Sequence, residues 1–439
     1  MRAVTYPGHH PGPGQWLDVV SGTLDTAMGW LEVARLPTTA DDEALRRVRD
    51  AEELGRFAYQ LLQELDGADA DQIPHQIVGP FQRWVRGLGI GNSIFFRADH
   101  VANYELARFY LDESLKNVDD PSPSLRRALD SVEWPFLRLT VPSQAMGMLP
   151  HFAIVGHELG HAIQERIALG SNIVDPTALL SAIRRRLEEE NLPSGRATDL
   201  EMHKVLASWI QEFKSDAVAL LIAGPAFLFA LSGFFEISGG SYGISPTHPP
   251  SDLRRRLVLE RLRAGAPGHA EVFERVTGMR IEDDSNSPNV ARLPGAAELY
   301  SELKARYGAE QAAICVEVLP LAEEIAAAVF DEAEIMMTRD APDMIYRPEQ
   351  LERDLLDHLD PLCALIPPIE TRHEGVARPA SLSGTLNVGW AALLTRLDDI
   401  GRPTAGATGS ETMRMEKLHE LLLKGVELAE ARTMWDERP

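Results

Sequence analysis

Two histidines four residues apart, with a glutamate directly after the first, are the part of this chain best equipped for chemistry: His157-Glu158-Leu159-Gly160-His161. On a helix, residues at this spacing share a face, with about 6 Å between their Cβ atoms. Both imidazoles can then reach one zinc ion at the usual Zn–N distance of about 2.0–2.1 Å. Glu158 is not placed to ligate that ion, yet it is close enough to polarise water that the ion activates. The chemistry implied is metal-assisted hydrolysis. Neighbouring residues predict the helix that this requires. Pro150 suits a first helical turn, where its missing N–H costs nothing, and Gly170 stands where a C-terminal cap is expected. Phe152, Ile154, Val155, Leu159, Ile163 and Ile167 supply an apolar face for burial.

A catalytic zinc needs a third protein ligand and an open position. The candidate is Glu212, 51 residues beyond His161, in Trp209-Ile210-Gln211-Glu212-Phe213-Lys214-Ser215-Asp216. Asp216 follows one helical turn later, so the two carboxylates share a face. Glu212 is placed to ligate, and Asp216 to accept the outer N–H of a liganding histidine and fix its tautomer. Asp216 opens an apolar run, so its charge needs compensation if it is buried. A third cluster is Thr247-His248-Pro249-Pro250-Ser251-Asp252-Leu253-Arg254. His248 could hydrogen-bond the oxyanion that forms when water attacks a carbonyl. Arg254 could brace a carboxylate or the site loop through its planar fork. The expected metal ligands are therefore His157, His161 and Glu212, supported by Asp216, with Glu158, His248 and Arg254 as the catalytic candidates.

Together the three clusters resemble the gluzincin zinc metallopeptidases, particularly their M48-like branch: HExxH, then Glu-x-x-x-Asp on a downstream helix, then His-Pro followed by an arginine. The resemblance implies that His157, His161 and Glu212 bind one zinc ion and that Glu158 is the general base. It further implies that Asp216 supports a zinc histidine and that His248 stabilises the transition state, with Arg254 six residues later. It covers residues 136–260. It departs from the integral-membrane members of that branch, because no clear pair of spanning helices flanks the motifs.

Composition narrows the setting. With 439 residues the chain can bury a large core in two or three structural units. A formal charge of −23 argues against a nucleic-acid or anionic-membrane surface, since both require a basic patch. Cys315 and Cys363 are the only cysteines, and two isolated thiols suit a reducing compartment. The N-terminal residues lack the continuous apolar core of a signal peptide or anchor, so the expected location is the cytoplasm. Residues 217–235 contain no charged side chain, and nineteen helical residues would reach about 28 Å, near the thickness of a bilayer core. Gly224-Pro225 falls in the middle of that stretch, however, and predicts two shorter buried helices instead.

The elements that must position these residues read as mainly α. The expected fold is a zincin-like metallopeptidase core with a small β element beside the active-site helix, flanked by helical N- and C-terminal regions. Residues 1–120 form the N-terminal region, beginning with a flexible arm over residues 1–15 and mainly helical from Trp16 to Lys116. Asp119-Asp120-Pro121-Ser122-Pro123 marks a boundary, and residues 121–265 form the metallopeptidase core. Phe136 to Pro142 reads as a short strand, placed to hold an extended peptide by edge pairing. Leu179 to Asn191 is expected as a charged surface helix, residues 200–223 as another long helix, and Gly239 to Gly243 as a loop. Residues 266–439 form a C-terminal helical region ending in a docking helix over Met415 to Arg432. His151 is expected to cap or line the motif helix, His203 to lie on the surface, and His9 and His10 to belong to the loose arm.

These expectations converge on a zinc-dependent endopeptidase that hydrolyses peptide bonds by metal-activated water, with a protein or peptide as substrate. Two other readings stay open on sequence alone. One is a catalytically silent, metalloprotease-like regulatory or binding protein, whose flanking regions engage a partner. The other is a membrane-associated processing protease resting on residues 217–235.

Overall fold

The computed structural model describes residues 11–437 apart from residues 66–72, 92, 101–103, 133, 144–146, 169–173, 193–194, 238–242, 266–267, 282–294, 374 and 402–409. The fold is mainly helical and divides into two compact units, Met1–Met146 and Gly147–Pro439. His9, His10, Gly170 and Gly239 to Tyr242 lie outside the described residues.

In the first unit, α1 (Pro11–Ala34), α2 (Asp41–Gln63), α3 (His75–Gly87), α4 (Leu111–Leu115) and α5 (Pro123–Ser131) accompany a three-stranded sheet. The sheet consists of β1 (Ile94–Asp99), β2 (Glu105–Phe109) and β3 (Phe136–Pro142), in the order β1-β3-β2. Residues 11–15 are therefore helical rather than part of a loose arm, and two strands interrupt the helical pattern expected up to Lys116. The core gathers Trp16, Phe95 and Phe136, with the Trp16 ring 4.8 Å from Phe136 and 5.6 Å from Phe95. Residues Asp119 to Ser122 are an internal connection of this unit, and Pro123 starts α5. Ser122 caps α5 by accepting from the Leu125 N–H at 3.2 Å and donates to the Gly22 carbonyl at 3.0 Å.

The expected strand over Phe136–Pro142 exists, but edge pairing with a peptide is not open to it. β3 is the central strand, parallel to β1 (Ile94↔Leu137) and antiparallel to β2 (Leu106↔Leu139). All seven of its residues are buried. Both rows of backbone groups are spent on neighbours, so no ladder remains for a substrate.

The second unit opens with a 3₁₀ turn (Leu149–Ile154) that carries Pro150 and leads into α6 (Val155–Ile163), the helix of the HExxH motif. Pro150 thus belongs to the 3₁₀ turn, and the α-helix itself starts five residues later. Then come α7 (Pro176–Glu189), α8 (Arg196–Ala223), α9 (Pro225–Ile237), α10 (Ser251–Arg263) and α11 (His269–Thr277). They are followed by α12 (Ala296–Tyr307), α13 (Ala309–Val318), α14 (Ala322–Asp340), α15 (Pro348–Cys363), α16 (Leu382–Thr395) and α17 (Glu411–Asp436). A hairpin of β4 (Glu370–His373) and β5 (Val376–Pro379) breaks the otherwise helical C-terminal region.

The charge-free stretch 217–235 is the buried spine of this unit. Ala217, Val218, Ala219, Ile222, Ala223, Ala226 and Phe227 are fully buried. As the sequence indicated, it is two helices: α8 ends at Gly224, whose φ of 57° favours glycine, and Pro225 starts α9 with a pre-set φ. Among the described residues, no helix is long and apolar enough to cross a membrane.

Breaking a buried helix exposes backbone groups that must find partners. Three residues from two segments of the C-terminal region, Tyr346 before α15 and Ser383 and Asn387 on α16, supply them. The Leu221 carbonyl accepts from the Tyr346 N–H at 2.8 Å, and the Ile222 carbonyl from the Ser383 hydroxyl at 2.8 Å. Asn387, fully buried on α16, donates to the Ala223 carbonyl at 2.7 Å and accepts from the Ala226 N–H at 2.9 Å. One amide thus bridges both sides of the break. The same region holds the entry to α6. The Trp390 indole donates to the Pro150 carbonyl at 2.9 Å, and His419 Nδ1 accepts from the Leu149 N–H at 3.0 Å.

Replacing Asn387 by leucine keeps the branching of the side chain but strands the Ala223 carbonyl and the Ala226 N–H. At about 1–3 kcal/mol for each of the two orphaned groups, stability should fall by about 2–6 kcal/mol. Urea unfolding should show a lower midpoint at unchanged slope. A midpoint equal to the parent's would mean that Asn387 does not hold the break.

Candidate metal centre

The site is built where α6 packs on α8 without side chains between their backbones. A Cβ on Gly160 would lie 2.5 Å from Ser215 Cα, and one on Gly156 would lie 3.1 Å from Ala219 Cα. Two glycines four residues apart thus face two small residues four apart, running in opposite directions. This approach sets His157 and His161 against Glu212 and Asp216.

The donor atoms converge. His157 Nε2 and His161 Nε2 are 3.2 Å apart. Glu212 Oε2 lies 3.5 Å from His157 Nε2, and Glu212 Oε1 lies 3.4 Å from His161 Nε2. One donor from each of the three residues falls within 4.8 Å of the others, so the group could hold a metal ion. The residues suit that task. Glu212 Oε2 is buried with no hydrogen-bond partner, although Arg254 Nη1 lies 3.0 Å away. A buried carboxylate oxygen left in that state is a ready ligand.

Asp216 and Arg254 orient the set. Asp216 Oδ1 lies 2.8 Å from His157 Nδ1. An ionised carboxylate only accepts, so Nδ1 carries a proton and donates, leaving Nε2, on the Glu212 side, as the nitrogen a metal would take. Arg254 closes a fork on Asp216, with Nε donating to Oδ2 at 2.8 Å and Nη2 to Oδ1 at 2.7 Å. Its third nitrogen, Nη1, faces Glu212 at 3.0 Å. Arg254 is buried, so it braces both carboxylates from behind. Phe235 lies beneath its guanidinium, 5.5 Å from ring centroid to carbon. Sequence reasoning anticipated the brace and the Asp216–histidine contact.

Charge governs the proton inventory. Burial disfavours a charged His157, but hydrogen bonds and charge from Asp216 and Glu212 outweigh it and raise the pKa to about 10. Burial also works against an ionised Glu212, yet the Arg254 charge and the two histidines hold it well below the usual carboxylate range. Asp216 is lowered in the same way, with Arg254 the main opponent of its burial. The pocket thus favours positive charge at His157 Nε2, and a divalent ion binding there would displace a proton.

Glu158 follows His157, half-buried, and its charge helps raise the Arg254 pKa. His248 is the most exposed candidate. Its Nε2 is 3.7 Å from Glu212 Oε1, and its Nδ1 is 2.9 Å from Thr247 Oγ1. The loop bearing it is pinned by Trp209 of α8, whose indole donates to the Ser245 carbonyl at 3.0 Å. His203 is on the surface, paired with Asp199 at 3.4 Å, and His151 packs edge-on against Trp390 at 5.0 Å.

No protein-family model, curated protein or solved structure matches the chain. What this centre can do is therefore read from its own geometry.

Three contributors escaped the sequence. Phe227 stacks on the His157 ring at 6.4 Å with 10° between planes, Trp209 pins the His248 loop, and Gly156 pairs with Gly160. The Gly156/Gly160 spacing was the available signal, since two glycines one turn apart mark a close helix approach. Nothing local in the sequence marked Phe227.

Asp216→Asn should weaken binding of a divalent metal about 10–100-fold, because the amide cannot accept from His157 and Arg254 as the carboxylate does. Arg254→Lys should weaken it too, since a point charge cannot replace the fork. Competition against a chromophoric chelator reads both effects. Unchanged affinity in Asp216→Asn would remove the orienting role from Asp216.

Proposed function

We propose that this chain is a zinc-dependent endopeptidase resembling the gluzincins, with His157, His161 and Glu212 holding one zinc ion. The observation that carries this reading is the spacing of the three donors. Ligands about 2.0–2.2 Å from a tetrahedral centre lie about 3.3–3.6 Å from one another. The two histidine nitrogens stand 3.2 Å apart, and each has a Glu212 oxygen close to that spacing, Oε2 at 3.5 Å from His157 and Oε1 at 3.4 Å from His161. Two imidazoles and one carboxylate are also a donor set that suits zinc better than calcium or magnesium. When bound, zinc supplies a Lewis acid that polarises the scissile carbonyl and makes water acidic enough to attack near neutral pH.

The chain's own residues do the rest. Glu158, adjacent to a ligand and not needed as one, takes the proton from the attacking water and passes it to the leaving amine. His248 donates to the oxyanion. With Thr247 Oγ1 giving its proton to Nδ1, the imidazole keeps a proton on Nε2, the nitrogen on the Glu212 side. Arg254 and Asp216 position the ligands without touching substrate. A protein or peptide substrate fits this chemistry. Two free, buried cysteines suit the cytoplasm as its location.

Glu158→Gln should retain zinc and lower peptide hydrolysis by about 10²–10⁴-fold. Chelation with 1,10-phenanthroline should abolish activity, and added zinc should restore it. Bound zinc with no turnover of any member of a broad peptide library would favour a silent binding protein. Equal cleavage by parent and Glu158→Gln would end the general-base assignment.

A further inference from the structure

The first N–H groups of a helix have no partner within it. At the entry to α6 one of them is satisfied from 270 residues away: the Leu149 N–H donates to His419 Nδ1 on α17 at 3.0 Å. One residue on, the Pro150 carbonyl accepts from the Trp390 indole of α16 at 2.9 Å. Leu149 is fully buried, so water does not readily replace the histidine at this joint.

The two bonds differ in their response to pH. An indole N–H only donates and does so throughout the range in which proteins fold. An imidazole nitrogen accepts only while it carries no proton. Because a backbone N–H can only donate, the contact fixes the tautomer of His419: Nδ1 holds the lone pair and Nε2 the hydrogen. A proton added to Nδ1 sets two donors against each other and breaks the bond.

His419 is half-buried, and burial pushes its pKa below the ordinary value, against the smaller pull of Glu420 beside it. Of the elements packed against α17, α16 carries no charged residue and β5 carries Arg378. The turn Leu397–Asp399 carries Asp398, held by Arg414 at 3.0 Å, and Asp399, held by Arg396 at 2.8 Å. The 3₁₀ turn itself carries His151, which burial likewise keeps neutral. Since the folded pKa of His419 lies below the unfolded one, its bond contributes fully above about pH 6.5 and is lost as the pH falls through the folded value.

We propose that His419 is an acid-sensitive latch on the HExxH helix. While neutral, it ties the start of that helix to α17. Once protonated, it lets the 3₁₀ turn open and loosens the end of α6 nearer His157. The latch needs neither metal nor peptidase activity.

Hydrogen–deuterium exchange of the full, metal-stripped chain, corrected for the intrinsic effect of pH, tests this between about pH 7.5 and about pH 5. Residues 149–156 should lose protection about tenfold or more on acidification, while α8 keeps its own. His419→Asn places an amide oxygen where Nδ1 stands and cannot titrate, so that segment should stay protected at both pH values. His419→Phe removes the acceptor and should leave the segment open at both. A parent segment equally protected at the two pH values, an Asn variant that opens at either, a Phe variant protected at neutral pH, or a loss spread equally over α8 would each overturn the proposal. Zinc binding and peptide turnover are read in separate assays, so failure of the peptidase reading leaves this result distinct.

Discussion

The centre depends on how closely two helix backbones approach. Packed helices normally stand about 8–10 Å apart, held off by the side chains at their contact. Here Gly156 and Gly160 remove those side chains from α6, and Ala219 and Ser215 keep them minimal on α8. The imidazoles and Glu212 can then share one small volume, with the two Nε2 atoms 3.2 Å apart and each within 3.5 Å of a Glu212 oxygen. A larger residue at 160 would have to displace backbone, because the nearest obstacle is Ser215 Cα and not a movable side-chain tip. The identity of one apparently neutral residue within HExxH is thus tied to ligand convergence.

Close approach brings an electrostatic burden. Glu212, Asp216, Arg254 and His157 are all buried, and burying any one of them alone would cost several kcal/mol. Their geometry offsets this: two carboxylates share one guanidinium, leaving one negative charge over. That excess sustains a proton on His157 up to a pKa of about 10. It also defines the site's appetite, since a cation of some kind must balance it. A proton balances it minimally, and a divalent ion held by His157, His161 and Glu212 could do so as well. Cation occupancy and stability of the α6–α8 packing are therefore coupled.

How much of this the sequence disclosed follows a physical rule. Residues whose roles come from local spacing were legible: His157 and His161 at one turn, Glu212 and Asp216 at one turn, and the Gly224-Pro225 break. Arg254 as a brace followed from the chemistry of its fork. Contacts made across long sequence separations were not legible. Asn387 meets Ala223 from 164 residues away, and Trp390 meets Pro150 from 240. Nothing in the local pattern of residues 266–439 marks them as support for the HExxH helix. β1 and β2 were missed because Ile94-Phe95-Phe96 is a short apolar run that period alone cannot assign to strand or helix. β3 was found, but its neighbours in the sheet were not, so its edge was wrongly taken as open.

The break at Gly224 shows how one local feature serves several levels. Were α8 and α9 continuous, Phe227 would stand about 22 Å further along the axis than Glu212, fifteen residues at 1.5 Å each. It could not then stack on a histidine whose Nε2 lies 3.5 Å from Glu212. Because the chain turns at Gly224, Phe227 returns to 6.4 Å from the His157 ring, and Phe235 comes under Arg254 at 5.5 Å. The same turn divides the charge-free stretch into helices of the lengths a protein core uses. It also creates the orphaned backbone groups that Tyr346, Ser383 and Asn387 satisfy. The C-terminal region is thereby drawn into the architecture of the centre: it holds the break that lets α9 roof the histidines, and it anchors the 3₁₀ turn from which α6 begins.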